Sequence, residues 1–566
     1  QQVMDDYATF WLRKGGSPRS YSFWIADAYR ARNLVAHNDA FLIDLLPDLV
    51  KNYEAWETGW PWANAWIGQR DNGLFYTICD REGMEVSISG DGFRVPLNSY
   101  MYGDARAIAD IARMAGNVQE TKRFEQKAAA LKGLIQDKLW DAEAQFFKVL
   151  PGERNPKVRQ AVSVRSDDMK KARHTWWKEE RLGQQEWVQY TWKEPKRLSA
   201  AEVLWFADAR GCAAPENWQL QVDQGEGFKP VAGATAYGTE LDRFNRVTFA
   251  PVHAKAIRLL AQTPEGLSSG ILEWRVFADD SNIATEAQAQ ASYTDVYGGT
   301  LKALHDGDQP TEQPDPPLRD VKELAGLIPW QFNLPDPGYE AGWKELMDPK
   351  GFYAPYGPTF AEQRHPRFTI SYEGHECQWN GPSWPMATSS VLTGLANLLN
   401  NYDQDVIGKE GYFETLKIYT KSHRLKREDG KVVPWIDENL NPYTGDWIAR
   451  TRLHEWADTR PDFEKAKGGK DRGKDYNHSS YSDLIITGLV GLRPRADDVV
   501  EVNPLLPENT WDYFCLDKVL YHGRILTIIW DKTGEQYGRG RGLLVLADGK
   551  EIARSSGLSK ATGALK

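Results

Sequence analysis

The chain has 566 residues, of which 41% are hydrophobic and 26% charged, enough for more than one core and for two or three domains. A formal net charge of −10 argues against a nucleic-acid partner, because phosphate neutralisation needs clustered Lys and Arg. No stretch is long and apolar enough to span a bilayer, and Cys79, Cys212, Cys377 and Cys515 are scattered without metal or disulfide spacing. The 23 Trp and 24 Tyr are an unusual load, and large amphipathic rings have two common uses: filling a broad core and lining a sugar cleft. Residues 1–7 form no signal peptide and read as a helix entered partway, so the natural start is expected to be missing.

Residues 1–57 are predicted helical: Leu42, Leu45, Leu46, Leu49, Tyr53 and Trp56 fall at three- and four-residue steps, with Asn38 or Asp39 placed to cap. Between the first helices lies a glycine loop carrying Arg19, Tyr21 and Trp24, which reads as an ordinary interhelical connection or as a source of sugar contacts. Trp56, Trp60, Trp62 and Trp66 crowd the next connection. A glycine-rich stretch, residues 81–94, then carries Glu85 and Asp91 ahead of a helix starting near Leu97-Asn98-Ser99-Tyr100. Helical signals continue through Ile108, Ile111, Ala112 and Ala115 to a segment ending near Trp140.

After about residue 155 the period changes to two. Residues 186–192, 203–206, 217–222, 246–249, 255–259 and 271–277 alternate as short strands, the pattern of a β-sandwich. Glu186-Trp187-Val188-Gln189-Tyr190 and Gly270-Ile271-Leu272-Glu273-Trp274-Arg275-Val276 resemble the discoidin-like (coagulation factor type C) sandwich. The segment from Asn282 to Gly307, which usually opens that module, here closes it, implying a circular permutant inserted in a loop. Such modules bind sugars or serve for packing. Pro310, Pro314, Pro316 and Pro317 make the exit linker.

Beyond Trp330 the helical pattern resumes. Residues 372–385 combine Tyr372, His375, Glu376, Trp379, Asn380 and Trp384 ahead of a helix with Val391, Leu392, Leu395, Leu398, Leu399 and Tyr402 on one face. His375 and Glu376 lack further ligands for zinc and suit a hydrogen-bonded pair or sugar hydroxyls. In residues 433–447, Trp435 and Trp447 bracket Asp437, Glu438 and Asp446, while Asn-Pro and Thr-Gly keep the middle a loop. A carboxylate pinned between indoles suits sugar chemistry, where rings stack on pyranose faces and the acid activates water; a surface turn with capping acids is the plainer reading. Residues 465–474 are a solvated Lys/Gly stretch, followed by a loop with His478 and a helix with Tyr481, Leu484, Ile485 and Leu489. Strand signals return from about residue 495.

Trp379-Asn380-Gly381-Pro382-Ser383-Trp384-Pro385 and Glu438 through Gly445 resemble, in order, the W-x-G-P-x-W-P and E-x-x-x-P-x-T-G loops of the inverting six-hairpin toroid glycosidases, the group of glycoside hydrolase family 63, mannosylglycerate hydrolase and trehalase. The resemblance implies a multidomain α+β chain: an (α/α)6 helical toroid in two parts, 1–154 and 320–494, an inserted sandwich at 155–319, and a small β-domain at 495–566. It implies Glu438 as the base. The family's acid is an Asp in an E-S-G-x-D-x-S-P-R segment before an L-N-x helix, from which this sequence departs. Asp91, followed by Phe93-Arg94, is the first match and Glu85 the second, against the alternative that both only decorate a glycine turn.

The expected activity is hydrolysis of an oligosaccharide or glycoside, α-linked and with inversion, needing no cofactor or metal; family members on glycans are often exported to the periplasm or secreted. Substrate contacts are expected from Arg19, Tyr21, Trp24, Tyr372, His375, Glu376, Trp379, Asn380, Trp384, Trp435 and His478. Two other classes stay open. A toroid polysaccharide lyase would draw on His375, Tyr372 and Arg364, without a concentrated basic stretch to support it; a non-catalytic carbohydrate-binding protein would bind sugar without consuming it.

Overall fold

The computed structural model describes residues 2–565 apart from 17–20, 59–66, 71, 153–172, 208–210, 242, 296–299, 308–317, 373–374, 428 and 453–479. Helices and strands are mixed, and the apolar side chains fall into two main cores.

The first core is built by helices. α1 (Gln2–Arg13), α2 (Ile25–Ala36), α3 (Asp39–Asp44) and α4 (Leu46–Thr58) pack toward α5 (Val95–Met114). Asn38 caps α3, its Oδ1 accepting from Phe41 N at 3.4 Å, and Leu42, Leu45, Leu46, Leu49, Tyr53 and Trp56 are all buried as their spacing predicts. α5 begins with Pro96 in its first turn, where a missing N–H costs nothing, and is buried on nearly every face, so it runs through the middle of this region. α6 (Val118–Lys138) opens on the Asn117 cap and lays Phe124, Ala128, Leu131 and Ile135 against α5. After the intervening sheet come a short helix, α7 (Lys344–Met347), then α8 (Pro385–Asn401) and α9 (Lys409–Ser422); α8 packs on the 3-10 stretch Leu324–Phe332.

The second core belongs to an antiparallel eight-stranded sheet. The sequence suggests six separate short strands here, whereas four of them merge in pairs: 186–192 and 203–206 lie in one strand, Gln185–Phe206, and 246–249 and 255–259 in another, Asn245–Gln262. The polar run Lys193-Glu194-Pro195-Lys196 that hides this continuity is taken up by register shifts between Thr191 and Lys196 and between Leu198 and Ala200, where bulges bend the pair without ending it. Trp176, Trp192, Trp205, Trp218 and Trp274 fill this core, and the indole N–H groups of Trp205 and Trp218 both donate to Gly238 O. A large part of the aromatic load is therefore interior packing.

The C-terminal region is a small sheet domain. Strands Tyr513–Tyr521, Arg524–Asp531, Gly542–Ala547 and Lys550–Ser555 form one four-stranded antiparallel sheet, and Leu492–Arg493, Val499–Val502 and Ala561–Ala564 a three-stranded one. Leu526, Ile528, Trp530, Leu543 and Val545 point into the same apolar core as the helices. Arg493 Nη2 reaches Asn397 Oδ1 on α8 at 2.7 Å, and His522 N donates to Val35 O on α2 at 3.0 Å.

Between the strand Phe75–Thr77 and α5, the chain is held by a fully buried ion pair, Glu82–Arg94. Arg94 also donates to Ser87 Oγ at 3.1 Å, to Ser89 Oγ at 3.0 Å and to Gly90 O, and Ser89 Oγ donates in turn to Glu323 Oε2 at 2.6 Å. The free oxygen of Glu82 accepts from Leu97 N at 2.9 Å, meeting an N–H of the first turn of α5 that has no helical partner. Removing one member would strand the other charge in a low-dielectric interior. Arg94→Met should lower the unfolding free energy by about 3–5 kcal/mol, seen as an earlier urea midpoint, and the Glu82→Leu/Arg94→Met pair should recover part of the loss.

Candidate active site

Three loops meet above α5 and α8. The first, residues 83–94, carries Glu85; the second, 375–384, carries Glu376 and Cys377; the third, 435–451, carries Glu438 and Arg450. Main-chain bonds tie them: Trp379 N donates to Glu85 O at 3.2 Å, Ser383 and Leu440 exchange both of theirs at 3.0 Å, and Asn439 Nδ2 donates to Glu376 O at 2.8 Å. The loop positions follow from local chemistry. Pro385 and Pro96 start helices directly after the second and first loops, and Asn441 Oδ1 accepts from Tyr443 N and Thr444 N to close the Asn-Pro turn of the third. Next to Glu85, Val86 sits at φ 64, a left-handed conformation that a β-branched side chain strongly disfavours. Strain of this kind persists only where the surroundings over-determine it, and here it lies one residue from the half-buried carboxyl of Glu85.

Glu438 is 3% exposed and its two oxygens have different neighbours. Oε1 accepts from Arg450 Nε at 2.9 Å and also from Nη2, while Oε2 faces the Cys377 thiol at 3.4 Å. Arg450 thus supplies a counter-charge and fixes the carboxylate plane. Asp437 braces the same turn: its Oδ1 accepts from Glu438 N at 2.7 Å, and its Oδ2 from Arg450 N at 2.9 Å and Thr451 Oγ1 at 2.8 Å. Burial pushes Asp437 up to about 6 despite these donors.

Glu85 differs from Glu438 in having no basic partner among the groups that set its charge. Burial pushes its carboxyl up to about 8, and the neighbouring charges of Asp80, Glu438 and Glu376 add to the rise. Burial and the same three glutamates, Glu438, Glu85 and Glu376, push the Cys377 thiol up as well. The site therefore joins one carboxyl whose ionisation is opposed to another tethered by an arginine.

The structure brings Glu85, Glu376 and Glu438 together, with Tyr21 beside Glu85. Asp91 stands elsewhere on its loop: its Oδ1 accepts from Cys79 N at 2.9 Å, between Gly90 and Gly92, both at positive φ. His375 Nδ1 accepts from Cys377 N at 3.0 Å, and the half-exposed Tyr372 accepts at its hydroxyl from Asn441 Nδ2 at 3.0 Å. Asn380 accepts at its main-chain oxygen from Thr369 N, while its side-chain Oδ1 is buried without a hydrogen-bond partner among the described residues. The tryptophans differ from expectation. Trp379 and Trp384 stack on each other at 3.7 Å and Phe360 meets Trp379 edge-on, Trp435 is buried with its indole N–H on Thr451, and Trp24 packs against Tyr100 and Phe332; in this structure these rings pack beneath the loops. Arg19 and His478 lie outside the described residues.

Arg450 is absent from the sequence reading, while Asp437 and Cys377 enter it only as one of three bracketed acids and one of four scattered cysteines. Nothing linear marks Arg450, which comes 12 residues after Glu438 and meets it only because the loop folds back. For Glu85 a signal exists. Aligning the family's G-x-D-x-S on Gly83-Met84-Glu85-Val86-Ser87, rather than on Arg94, puts Glu85 in the acid's place with one extra methylene.

Comparison with known proteins points to a carbohydrate-active enzyme. The sequence model of the mannosylglycerate hydrolase MGH1-like glycoside hydrolase domain matches residues 2–166 and 277–479, and that of the glycosyl hydrolase family 65 C-terminal domain matches residues 492–554. Among solved structures, a sialidase superposes with a TM-score of 0.61 and 28% identity, covering 99% of this chain and 35% of its own. The chain thus spans about a third of that protein's length. The Streptococcus pneumoniae β-galactosidase BgaA matches at 17% identity over 15% of this chain and 62% of its own, with a TM-score of 0.15, too low to bear on the fold. Since the first of these family models spans more than half of its residues, the chain belongs to the MGH1-like glycoside hydrolase family.

Proposed function

We propose that the chain hydrolyses a glycosidic bond, with Glu438 taking a proton from water and Glu85 giving one to the leaving oxygen. One observation carries this reading: the half-buried Glu85, whose carboxyl is pushed up to about 8, and the arginine-tethered carboxylate of Glu438 stand on loops bonded to each other. Arg450 occupies Oε1 of Glu438, so Oε2, which faces only the weak thiol donor Cys377, is the oxygen that accepts the proton. Asp91 is set aside as the acid because its carboxylate serves the Cys79 main chain.

The resemblance to toroid glycosidases supports inversion, which needs carboxyls roughly 6.5–9.5 Å apart, and an α-linked glucoside, mannoside or galactoside. Glu376, Asn380 and His375 on the second loop, and Tyr21 beside Glu85, would meet the sugar hydroxyls. On this reading the helices on either side of the sheet are two parts of one six-hairpin toroid, and the sheet is an inserted discoidin-like sandwich. The match of one family model on both sides of residues 167–276 favours that arrangement. A lyase is less favoured because Arg364, its candidate cation, is committed to Glu345 and Asp348.

The decisive assay is a panel of α- and β-linked glycosides, sialosides included, with anomer-resolved NMR of the products. Glu438→Gln should reduce turnover by about 10³-fold or more, and Asp91→Asn should leave it within a few-fold of wild type. Glu85→Gln should lose about 10²–10⁴-fold on alkyl glycosides and far less on glycosyl fluorides, whose leaving group departs unprotonated. Equal loss on both substrates would remove Glu85 as the acid. Products absorbing in the ultraviolet would identify a lyase, and binding without product a lectin-like protein.

Arg450→Met removes the counter-charge that holds the Glu438 carboxylate and should lower kcat/KM by about 10-fold or more, with Arg450→Lys restoring part of the loss. One pH effect follows. Glu85 binds its proton more tightly folded, at about 8, than its ordinary value of 4.5 allows, so between these values the folded chain holds a proton that the unfolded chain has released. Stability should fall as pH rises through this window. Glu85→Gln should flatten that part of a melting-temperature profile.

A further inference from the structure

We propose that His37, His522 and Asp498 form a binding site for a divalent transition ion of the zinc class, at the seam between α2 and the C-terminal sheet. A ring nitrogen from each histidine and a carboxylate oxygen lie within 4.8 Å of one another. They come from three separate segments. His37 ends α2 in a left-handed conformation at φ 48, His522 occupies the turn between strands Tyr513–Tyr521 and Arg524–Asp531, also at φ 48, and Asp498 directly precedes the strand Val499–Val502.

His522 is the best defined of the three. Its Nε2 lies 2.8 Å from Leu34 O, and a carbonyl can only accept, so Nε2 carries the proton and Nδ1 keeps its lone pair. That Nδ1 is buried and has no hydrogen-bond partner among the described residues. A ring N–H donated to a main-chain carbonyl, with the other nitrogen directed elsewhere, is the outer-sphere arrangement by which proteins fix the tautomer of a metal-ligating histidine. The main chain of His522 is pinned too, through its N–H to Val35 O.

His37 lies face to face with His522 at 3.7 Å, and Tyr521 stacks against His522 at 4.0 Å. Ligand atoms about 2.0–2.1 Å from a tetrahedral ion are roughly 3.4 Å apart, so His37 must tilt out of the stack and the cluster must close by about 1 Å. His37 and Asp498 are exposed, which leaves their side chains free to turn and gives an ion a way in. Two imidazoles and one carboxylate, with water in the fourth place, suit Zn²⁺, Co²⁺ or Ni²⁺; Mg²⁺ and Ca²⁺ prefer oxygen throughout. No ligand belongs to the loops that carry Glu85, Glu376 and Glu438, so the ion would join α2 to the C-terminal sheet and act on stability.

The test uses the full chain, stripped with chelator and titrated with Zn²⁺ alone by calorimetry, with thermal unfolding followed in parallel. Expected are one bound ion at micromolar affinity or tighter and a melting temperature that rises by several degrees. His37→Ala and Asp498→Asn should each weaken binding by about 10-fold or more and abolish the rise, with zinc-free unfolding as in wild type. His522 is left intact because its ring also holds Leu34. Saturable binding that persists unchanged in the His37→Ala/Asp498→Asn double variant would overturn the proposal, as would no stoichiometric binding below about 100 μM.

Discussion

The loops of the candidate site depend on a buried charge pair, Glu82 with Arg94. Glu82 and Arg94 are both fully buried, and such a pair is stable only if its remaining donors and acceptors are satisfied. Ser87, Ser89, Gly90 and the first turn of α5 meet that demand, and Ser89 passes the constraint on to Glu323, 234 residues further along the chain. The segment between the two charges therefore has little freedom. Val86 is held in a backbone conformation it would not choose, and Glu85 is fixed in a place where its own ionisation is opposed. Placing an acid in this way draws on the stability of the surrounding network.

The two principal carboxyls show how environment assigns roles to identical side chains. Glu438 has a guanidinium on one oxygen and a turn braced by Asp437 behind it, whereas Glu85 has partial burial and three like-charged neighbours. The pair is coupled, because any charge on Glu438 makes ionisation of Glu85 harder. On the proposed reading, the charge of the base thus helps to keep the acid protonated.

What could be read from the sequence was what repeats or what is local. The helical faces of α4 and α8 and the Asn38 cap follow from spacing and side-chain type, and Glu438 lies in a motif short enough to see by eye. Strand continuity was hidden, because Lys193 to Lys196 looks like a loop and only pairing with the strand Asn245–Gln262 shows a bulge. The acid was harder for a different reason. Arg94 fits the end of the family motif and draws Asp91 into the acid's position, yet Arg94 is tied to Glu82, and the proposal for Glu85 follows the shorter register on Gly83 and Ser87 instead. Contacts such as Arg450 on Glu438 join residues whose proximity is created by folding, and no local pattern encodes them. The tryptophans misled because burial and sugar binding select the same rings, and only packing distinguishes Trp379 on Trp384 from an open platform.

The C-terminal sheet and the helices are described by two separate family models, yet their apolar side chains form one continuous core. A boundary that is clear in sequence is therefore not a mechanical joint. Leu526, Ile528 and Trp530 on one side and the helices on the other share one apolar core, so a substitution at their contact is felt by both. Grafting either onto a foreign partner would expose a face shaped for its present neighbour. The small sheet is better regarded as a wall of the catalytic region than as an appendage to it.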